Sequence, residues 1–136
     1  AKYNHMTPRE RRPYDIIFYG VTGYTGGLVL QYVKALYSNN PTQFTFAISG
    51  RTEAKLTACR DQIFEATPFA KTPVVVASLA RTWDIKQLVN QCRVVVNLAG
   101  PFMNSGGEAL AEACIIFKCD YVDINGELPY THKLTR

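Results

Sequence analysis

The chain has few of the residues from which most metal and acid–base sites are built. Its two histidines, His5 and His132, lie near the two ends of the 136-residue sequence. Its four cysteines, at positions 59, 92, 114 and 119, form no C-x-x-C pair. This spacing matches none of the usual zinc motifs, and it argues against a nucleophile activated by a neighbouring histidine. We therefore expect no metal site and interpret the cysteines as buried free thiols in a reducing compartment.

Long apolar runs are also missing. No segment is apolar enough over enough residues to span a bilayer, and the polar, basic N-terminus lacks the apolar core of a secretory signal. We therefore predict an intracellular, cytoplasmic protein. Hydrophobic residues make up 47% and charged residues 19% of the chain, which is typical of one globular domain that buries a core without disulfides.

The formal charge of +4 is concentrated at the N-terminus. Four of the basic residues lie in the first twelve positions: Lys2, Arg9, Arg11 and Arg12. The remainder is nearly neutral, so the charge is weak evidence for nucleic acid, and we predict no such partner. We interpret residues 1–12 as a basic flexible tail, with residues 1–5 a remnant ahead of a native start at Met6. Residues 13–136 are predicted to be the folded domain.

Short apolar runs alternate with amphipathic stretches along this domain. The pattern predicts strands at 14–19, 44–48, 73–79, 93–99 and 120–124, and helices at 24–37, 52–66, 83–92 and 106–118. In the first helix, apolar side chains at 28, 29, 32, 33 and 36 have the spacing of a buried face. In the second, Thr52 is a candidate N-cap, and Leu56, Cys59, Ile63 and Phe64 are predicted to face inward.

This alternation is typical of an α/β fold with a doubly wound parallel (Rossmann) sheet. We predict about five strands in the order 3-2-1-4-5, with helices on both faces. Val runs at 74–77 and 94–96 fit strands that are covered on both faces.

The most informative motif is G-V-T-G-Y-T-G at residues 20–26, between the first predicted strand and helix. Gly20 would turn the chain off the strand, Gly23 would let backbone N–H groups approach a pyrophosphate, and Gly26 would let the helix pack closely. The alternative is a glycine turn without a ligand. The predicted cofactor contacts here are Gly20, Thr22, Gly23, Tyr24, Thr25 and Gly26.

The end of the second strand indicates which dinucleotide would bind. An NAD site usually carries an acid there for the ribose 2′-OH, whereas this chain has S-G-R-T at 49–52 and no acid before Glu53. Arg51 could pair with a 2′-phosphate through its planar fork, so NADP(H) is favoured over NAD(H). Arg51 could instead be only a solvated charge. The predicted contacts are Ser49, Arg51, Thr52 and Lys55.

The fourth strand ends at the point where ligands bind in a doubly wound sheet. Asn97, Gly100 and Pro101 are therefore predicted to lie near the cofactor, although Asn97 could equally be a structural hydrogen-bonding residue. Asp123 and Glu127, at the end of the fifth strand, could face a substrate cleft, but caps or solvated groups are more usual. No residue stands out as a catalytic acid or base, and no Y-x-x-x-K pair occurs.

Four segments taken together resemble the saccharopine dehydrogenase-like oxidoreductases, which include trans-acting enoyl reductases. They are the opening Y-D-I-I-F-Y-G-V-T-G-Y-T-G at 14–26, G-R-T-E-A-K-L at 50–56, N-L-A-G-P-F at 97–102 followed by G-G-E at 106–108, and Y-V-D-I-N-G-E at 121–127. Departures are mild: Gly27 duplicates the third glycine, and Asn125 stands where Ser or Thr is more usual.

The resemblance implies an NADP(H)-binding Rossmann domain, truncated before a C-terminal domain that would form most of the substrate cleft. It implies an oxidoreductase with a small-molecule substrate, of which this fragment alone would be inactive. A redox sensor or scaffold that binds NADP(H) without turnover is the alternative, and the fragment could also bind nothing without its second domain. Membrane or lipid association and a homo-oligomer both stay open.

Overall fold

The computed structural model describes residues 6–99 and 107–123 of the chain. A short 3-10 helix, Arg9–Arg11, precedes an alternation of strands and helices. The elements are β1 (Tyr14–Tyr19), α1 (Tyr24–Tyr37), β2 (Phe46–Gly50), α2 (Glu53–Phe64), β3 (Val74–Val76), α3 (Thr82–Val89), β4 (Cys92–Asn97), α4 (Gly107–Ile116) and β5 (Asp120–Asp123).

The strands form one parallel sheet in the order β3-β2-β1-β4-β5, which confirms the predicted topology. The chain leaves β1 toward β2 on one side and returns to β4 on the other, so the order reverses at β1. Tyr19 at the end of β1 pairs with Ser49 on β2 and with Asn97 on β4. The carboxyl ends of three strands therefore lie side by side at one end of the sheet, which we call its carboxyl edge.

Helices cover both faces of the sheet, as predicted. On one face α1 contacts α2 over a buried cluster that includes Leu30, Leu56 and Phe64. On the other face α3 contacts α4 over a cluster that includes Leu88 and Leu110. Two apolar layers of this kind supply most of the stabilisation of an α/β domain, because each removes a continuous apolar surface from water.

Of the strands, β2 and β3 differ most from their predicted limits. β2 runs over Phe46–Gly50 rather than 44–48, since Phe44 lies outside the ladder and packs edge-to-face on Tyr37 at 5.0 Å between ring centroids. Ser49 and Gly50 are thus strand residues rather than the turn that ends it. β3 is only three residues long, and because it is an edge strand its valines are half-buried or exposed rather than covered on both faces.

The buried face of α1 agrees only in part with the predicted one. The buried positions are Gly26, Leu30 and Val33, of which Val33 belongs to the predicted face. Of the other predicted positions, Val29 is partly buried, whereas Leu28, Tyr32 and Leu36 are exposed. Apolar residues occupy two faces of this helix, and the requirement that Gly26 lie against the loop selects the face containing Leu30.

Two arginines give residues 6–12, which the sequence predicts to be part of a flexible tail, specific contacts with the domain. The Arg12 guanidinium is buried and donates to the backbone oxygens of Thr7, Cys92 and Phe117. Arg9 donates to the backbone of Arg93 and Lys118 and pairs with Asp120 at 2.8 Å. Two of the basic residues assigned to a solvated tail therefore stabilise the fold.

Candidate functional site at the carboxyl edge of the sheet

The loop after β1 is shaped by a glycine that no other residue could replace without strain. Gly20 has φ +84°, and a Cβ atom there would lie 2.5 Å from the backbone nitrogen of Ala99. The backbone of the loop therefore lies directly against the segment that follows β4. Glycine tolerates both the left-handed conformation and this contact.

The second and third glycines of the motif differ from each other in what surrounds them. A Cβ at Gly26 would lie 2.4 Å from Cα of Val21, so this glycine lets the first turn of α1 pack on the preceding loop. At Gly23 the nearest atom would be the Gly20 oxygen at 3.9 Å. No close protein contact within the described residues therefore requires glycine at position 23, and the space in front of it is open.

Gly23 is the N-cap of α1, and the helix start has the features of an anion site. No side chain hydrogen-bonds to the cap, and the first turn carries no acid. Thr22, Tyr24 and Thr25 are exposed around it. The first N–H groups of a helix lack intrahelical partners and lie at its positive end, so a phosphate is favoured there.

A groove of about 500 Å³ runs from this loop between α1 and α2. Its lining brings Thr22, Gly23 and Tyr24 together with Lys55 of α2. The sequence prediction missed the other groove residues of α2, which include Ala58 and Gln62. Their spacing from Lys55 is that of one helix face, so helical periodicity would have identified them.

Arg51 and Thr52 lie exposed just after β2. Within the described residues, the Arg51 guanidinium forms no hydrogen bond or ion pair. Arg51 lies close enough to Tyr19 for its charge to act on the phenol. Burial raises the pKa of Tyr19, and the positive charge of Arg51 opposes the rise. Thr52 is the N-cap of α2, as predicted, but its side chain forms no capping hydrogen bond. Both side chains are therefore available to a ligand.

The structure does not bring Ser49 and Asn97 to this surface. Ser49 is fully buried, and its hydroxyl donates to the Val75 oxygen. Asn97 is also fully buried; its amide nitrogen donates to the Tyr121 hydroxyl at 2.9 Å, and its oxygen accepts from the Ala99 N–H. Both side chains join neighbouring strands, which supports the structural alternative for Asn97, and a contact of either residue with the cofactor stays a prediction.

Other predicted residues have different outcomes. Gly100, Pro101 and Glu127 lie outside the described residues. Asp123 is at the end of β5, where the Tyr121 hydroxyl donates to it at 3.4 Å.

Within residues 6–99 and 107–123, no group of His, Cys, Asp and Glu side chains is arranged to hold a metal ion. No helix in these ranges has the length and apolar character to cross a membrane.

The described residues fit a dinucleotide with a 2′-phosphate. The space in front of Gly23 is open, as the approach of a pyrophosphate to the backbone requires. A Cβ at this position would then contact the bound pyrophosphate rather than protein. A positively charged side chain, Lys55, lines the same groove, and a second, Arg51, follows β2 without a hydrogen-bond or ion-pair partner among residues 6–99 and 107–123. A carboxylate that would repel the phosphate is absent from residues 49–52.

Comparison with known proteins confirms the family indicated by the sequence. A "Lipid droplet localized protein" of Caenorhabditis elegans is 32% identical over 126 residues, which cover 89% of this chain and 28% of that protein. A "Trans-acting enoyl reductase" of Mycobacterium ulcerans is 30% identical over 121 residues, which cover 88% and 27%. The chain thus spans little more than a quarter of the length of these relatives.

Solved structures confirm the fold. Apo saccharopine dehydrogenase (L-Glu forming) from Saccharomyces cerevisiae superimposes with a TM-score of 0.66 at 16% identity, over 89% of this chain and 24% of that one. A short-chain dehydrogenase/reductase from Veillonella parvula gives a TM-score of 0.58 at 15% identity, over 81% of this chain and 46% of that one.

The family model of the saccharopine dehydrogenase NADP-binding domain matches residues 16–135. Since this match extends over most of the sequence, the chain belongs to the family of saccharopine dehydrogenase NADP-binding domains.

Proposed function

We propose that this chain binds NADP(H) at the carboxyl edge of its sheet, in preference to NAD(H), and is the cofactor-binding part of an oxidoreductase. The observation that carries the proposal is the open N-terminus of α1 at Gly23, which shares a groove with Lys55. The N–H groups of the first turn of α1 would hold the pyrophosphate, together with the hydroxyls of Thr22 and Thr25.

The preference for NADP(H) follows from charge at the end of β2. Arg51 would donate to the 2′-phosphate through its fork, and Lys55 would add a second positive charge one turn into α2. The Thr52 hydroxyl, which forms no capping bond, would donate beside them. An NAD site would instead present a carboxylate to the 2′-OH.

When bound, the nicotinamide supplies or accepts a hydride. The residues of this chain orient the dinucleotide and neutralise its phosphates. The names of the relatives, an enoyl reductase and a dehydrogenase, favour a small-molecule substrate. Substrate binding and proton transfer would then depend on parts of the protein other than the residues described.

The cofactor preference is tested by titrating the protein with NADPH and NADH by calorimetry, before and after the substitution Arg51→Ala. Loss of a charge-assisted contact of about 1.5–3 kcal/mol weakens NADPH binding by roughly tenfold or more and leaves NADH binding unchanged. Lys71→Ala is the matched control, because Lys71 is an exposed cation that precedes β3 and therefore lies toward the amino ends of the strands, away from the proposed site. Equal affinity for both dinucleotides, unaffected by Arg51→Ala, would contradict the preference.

The enzymatic part of the proposal has a separate test. NADPH consumption by the full-length protein is measured with enoyl, imine and keto substrates. Turnover with one class supports an oxidoreductase. Tight NADPH binding without turnover of any of them would favour the alternative, a sensor or scaffold that reports the cofactor's redox state.

A further inference from the structure

Three of the four cysteines, from β4, α4 and the residue before β5, meet in the buried cluster on the face of the sheet that α3 and α4 cover. Cys92 begins β4, Cys114 lies in α4, and Cys119 precedes β5. The three are buried, and the sulfurs of Cys92 and Cys119 are 3.8 Å apart. Cys114 belongs to the same buried cluster. We call these three residues the thiol cluster.

The cluster is a consequence of how α4 ends and how β5 pairs. Lys118 is left-handed, with φ 57°, and the Cys119 N–H donates to the Cys114 oxygen at 2.8 Å. The Lys118 N–H donates to the Ile115 oxygen, which completes a Schellman motif, and such motifs bring the residue after the turn against the last turn of the helix. Parallel pairing of Val94 with Asp120 then sets Cys92 beside Cys119.

The charges around the cluster favour one thiolate. The pKa of Cys119 is lowered, because hydrogen bonding with the thiols of Cys114 and Cys92 favours its thiolate and the guanidinium charges of Arg12 and Arg9 act in the same direction against its burial. The same hydrogen bonds raise the pKa of Cys92 and of Cys114. Arg12 is itself buried against this cluster, since it donates to the Cys92 oxygen at 3.0 Å.

The cluster borders a groove on the protein surface. The groove has a volume of about 470 Å³ and is lined by Cys114 and Cys119 together with Arg9 and Lys118. It lies on the α4 side of the sheet, away from the groove between α1 and α2. A cysteine beside guanidinium groups at such a groove has the electropositive surroundings in which thiols react with oxidants.

We propose that the thiol cluster is a peroxide-reactive site, in which Cys119 is oxidised and Cys92 closes a disulfide with it. The Cys119 thiolate attacks one oxygen of hydrogen peroxide, the O–O bond breaks, and the hydroxide that leaves combines with the proton that the thiol released to solvent on ionising. The sulfur is thereby oxidised by two electrons to a sulfenic acid. The Cys92 thiol then displaces the hydroxyl group from that sulfur, its proton departs with the hydroxyl as water, and the S–S bond forms.

The decisive experiment treats the full chain with hydrogen peroxide and maps the products by mass spectrometry of peptides. We expect a Cys92–Cys119 disulfide that dithiothreitol reverses, formed at least about tenfold faster than oxidation of Cys59. Cys59 is the internal reference because it is half-buried, its pKa is raised by burial, and its thiol contacts only the Val21 oxygen. Oxidation of Cys59 at an equal or higher rate would overturn the proposal.

Single substitutions separate the two steps. Cys92→Ser should stop the reaction at a sulfenic acid on Cys119 that dimedone traps, whereas Cys119→Ser should abolish both products. Cys59→Ser is the matched control and should leave the disulfide unchanged. The oxidation rates of the wild-type protein are measured without any substitution, so they test the proposal even if a variant fails to fold. A Cys114–Cys119 disulfide in place of the expected one would contradict the role given to Cys92.

Discussion

At the residue scale, three glycines of one motif are glycine for different reasons. Protein atoms require glycine at positions 20 and 26. A Cβ at Gly20 would lie 2.5 Å from the backbone of Ala99, and a Cβ at Gly26 would lie 2.4 Å from that of Val21, which is closer than non-bonded atoms can approach. Gly23 has no such neighbour. The sequence gives all three the same letter, so the distinction between a packing glycine and a ligand-facing glycine needs the surrounding atoms.

We expect Gly23→Ala to separate binding from stability. A methyl group in open space at a helix N-cap should lower the free energy of unfolding by less than about 1 kcal/mol. The same methyl would stand in front of the first-turn N–H groups, so NADPH affinity should fall roughly tenfold or more. Urea unfolding and calorimetric titration of the same preparation measure both effects.

Two neighbouring glycines provide the controls for that substitution. Gly20→Ala should cost several kcal/mol, because it adds a left-handed alanine of about 1–2 kcal/mol to a clash with Ala99. Gly27→Ala, in α1 with nothing within 4 Å, should stabilise the protein by about 1 kcal/mol. If Gly23→Ala destabilised the fold as much as Gly20→Ala does, the glycine would be structural and not ligand-facing.

Ser49 and Asn97 show where residue-level inference is limited. Both are polar and end a strand, which is the usual position of a cofactor contact. The sequence prediction ended this strand at residue 48 and placed Ser49 in the turn that follows, whereas β2 extends to Gly50 and Ser49 lies within it. In the fold, each hydroxyl or amide is used by the adjacent strand instead.

At the element scale, α1 shows that helical periodicity alone can leave two solutions. Apolar residues at 28, 32 and 36 have the spacing of one face, and those at 26, 30 and 33 have that of another. The sheet accepts only the second face, because the close contact of Gly26 with Val21 fixes the rotation of the helix. The first face is left exposed.

A pair of leucine substitutions tests this assignment. Leu30 is 0% exposed, so Leu30→Ala removes buried methyl groups and should cost about 2–5 kcal/mol. Leu36 is 66% exposed, so Leu36→Ala should change stability by no more than about 0.5 kcal/mol. Urea midpoints at unchanged m-values give both differences. A cost for Leu36→Ala equal to that of Leu30→Ala would instead support the face that the sequence favoured.

At the scale of the whole molecule, the sheet order decides which strands are most firmly held. β1 has hydrogen-bonded neighbours on both sides and lies between both apolar layers, whereas β3 is a short edge strand with one neighbour. Local opening should therefore be easiest at β3 and rarest at β1 and β4.

Amide hydrogen exchange followed by NMR checks this order. The amides of Ile17 and Val95 should exchange only through global unfolding, with the protection that denaturant titration predicts. The amide of Ala77, which donates to the Gly50 oxygen across the β2–β3 pair, should exchange through local opening with at least about tenfold less protection. Protection at Ala77 equal to that at Ile17 would mean that β3 opens only with the whole domain.

The sequence by itself determined the alternation of strands and helices, the strand order and the glycine loop, because each depends on periodicity or on residue types within a few positions. Only the tertiary structure decided which face of α1 is buried, that Arg9 and Arg12 hold the N-terminal segment, and that Cys92, Cys114 and Cys119 meet. The physical reason is that these features depend on contacts between residues up to 111 positions apart, as in the Arg9–Asp120 pair. Burial and satisfied hydrogen bonds select such contacts after the elements have formed.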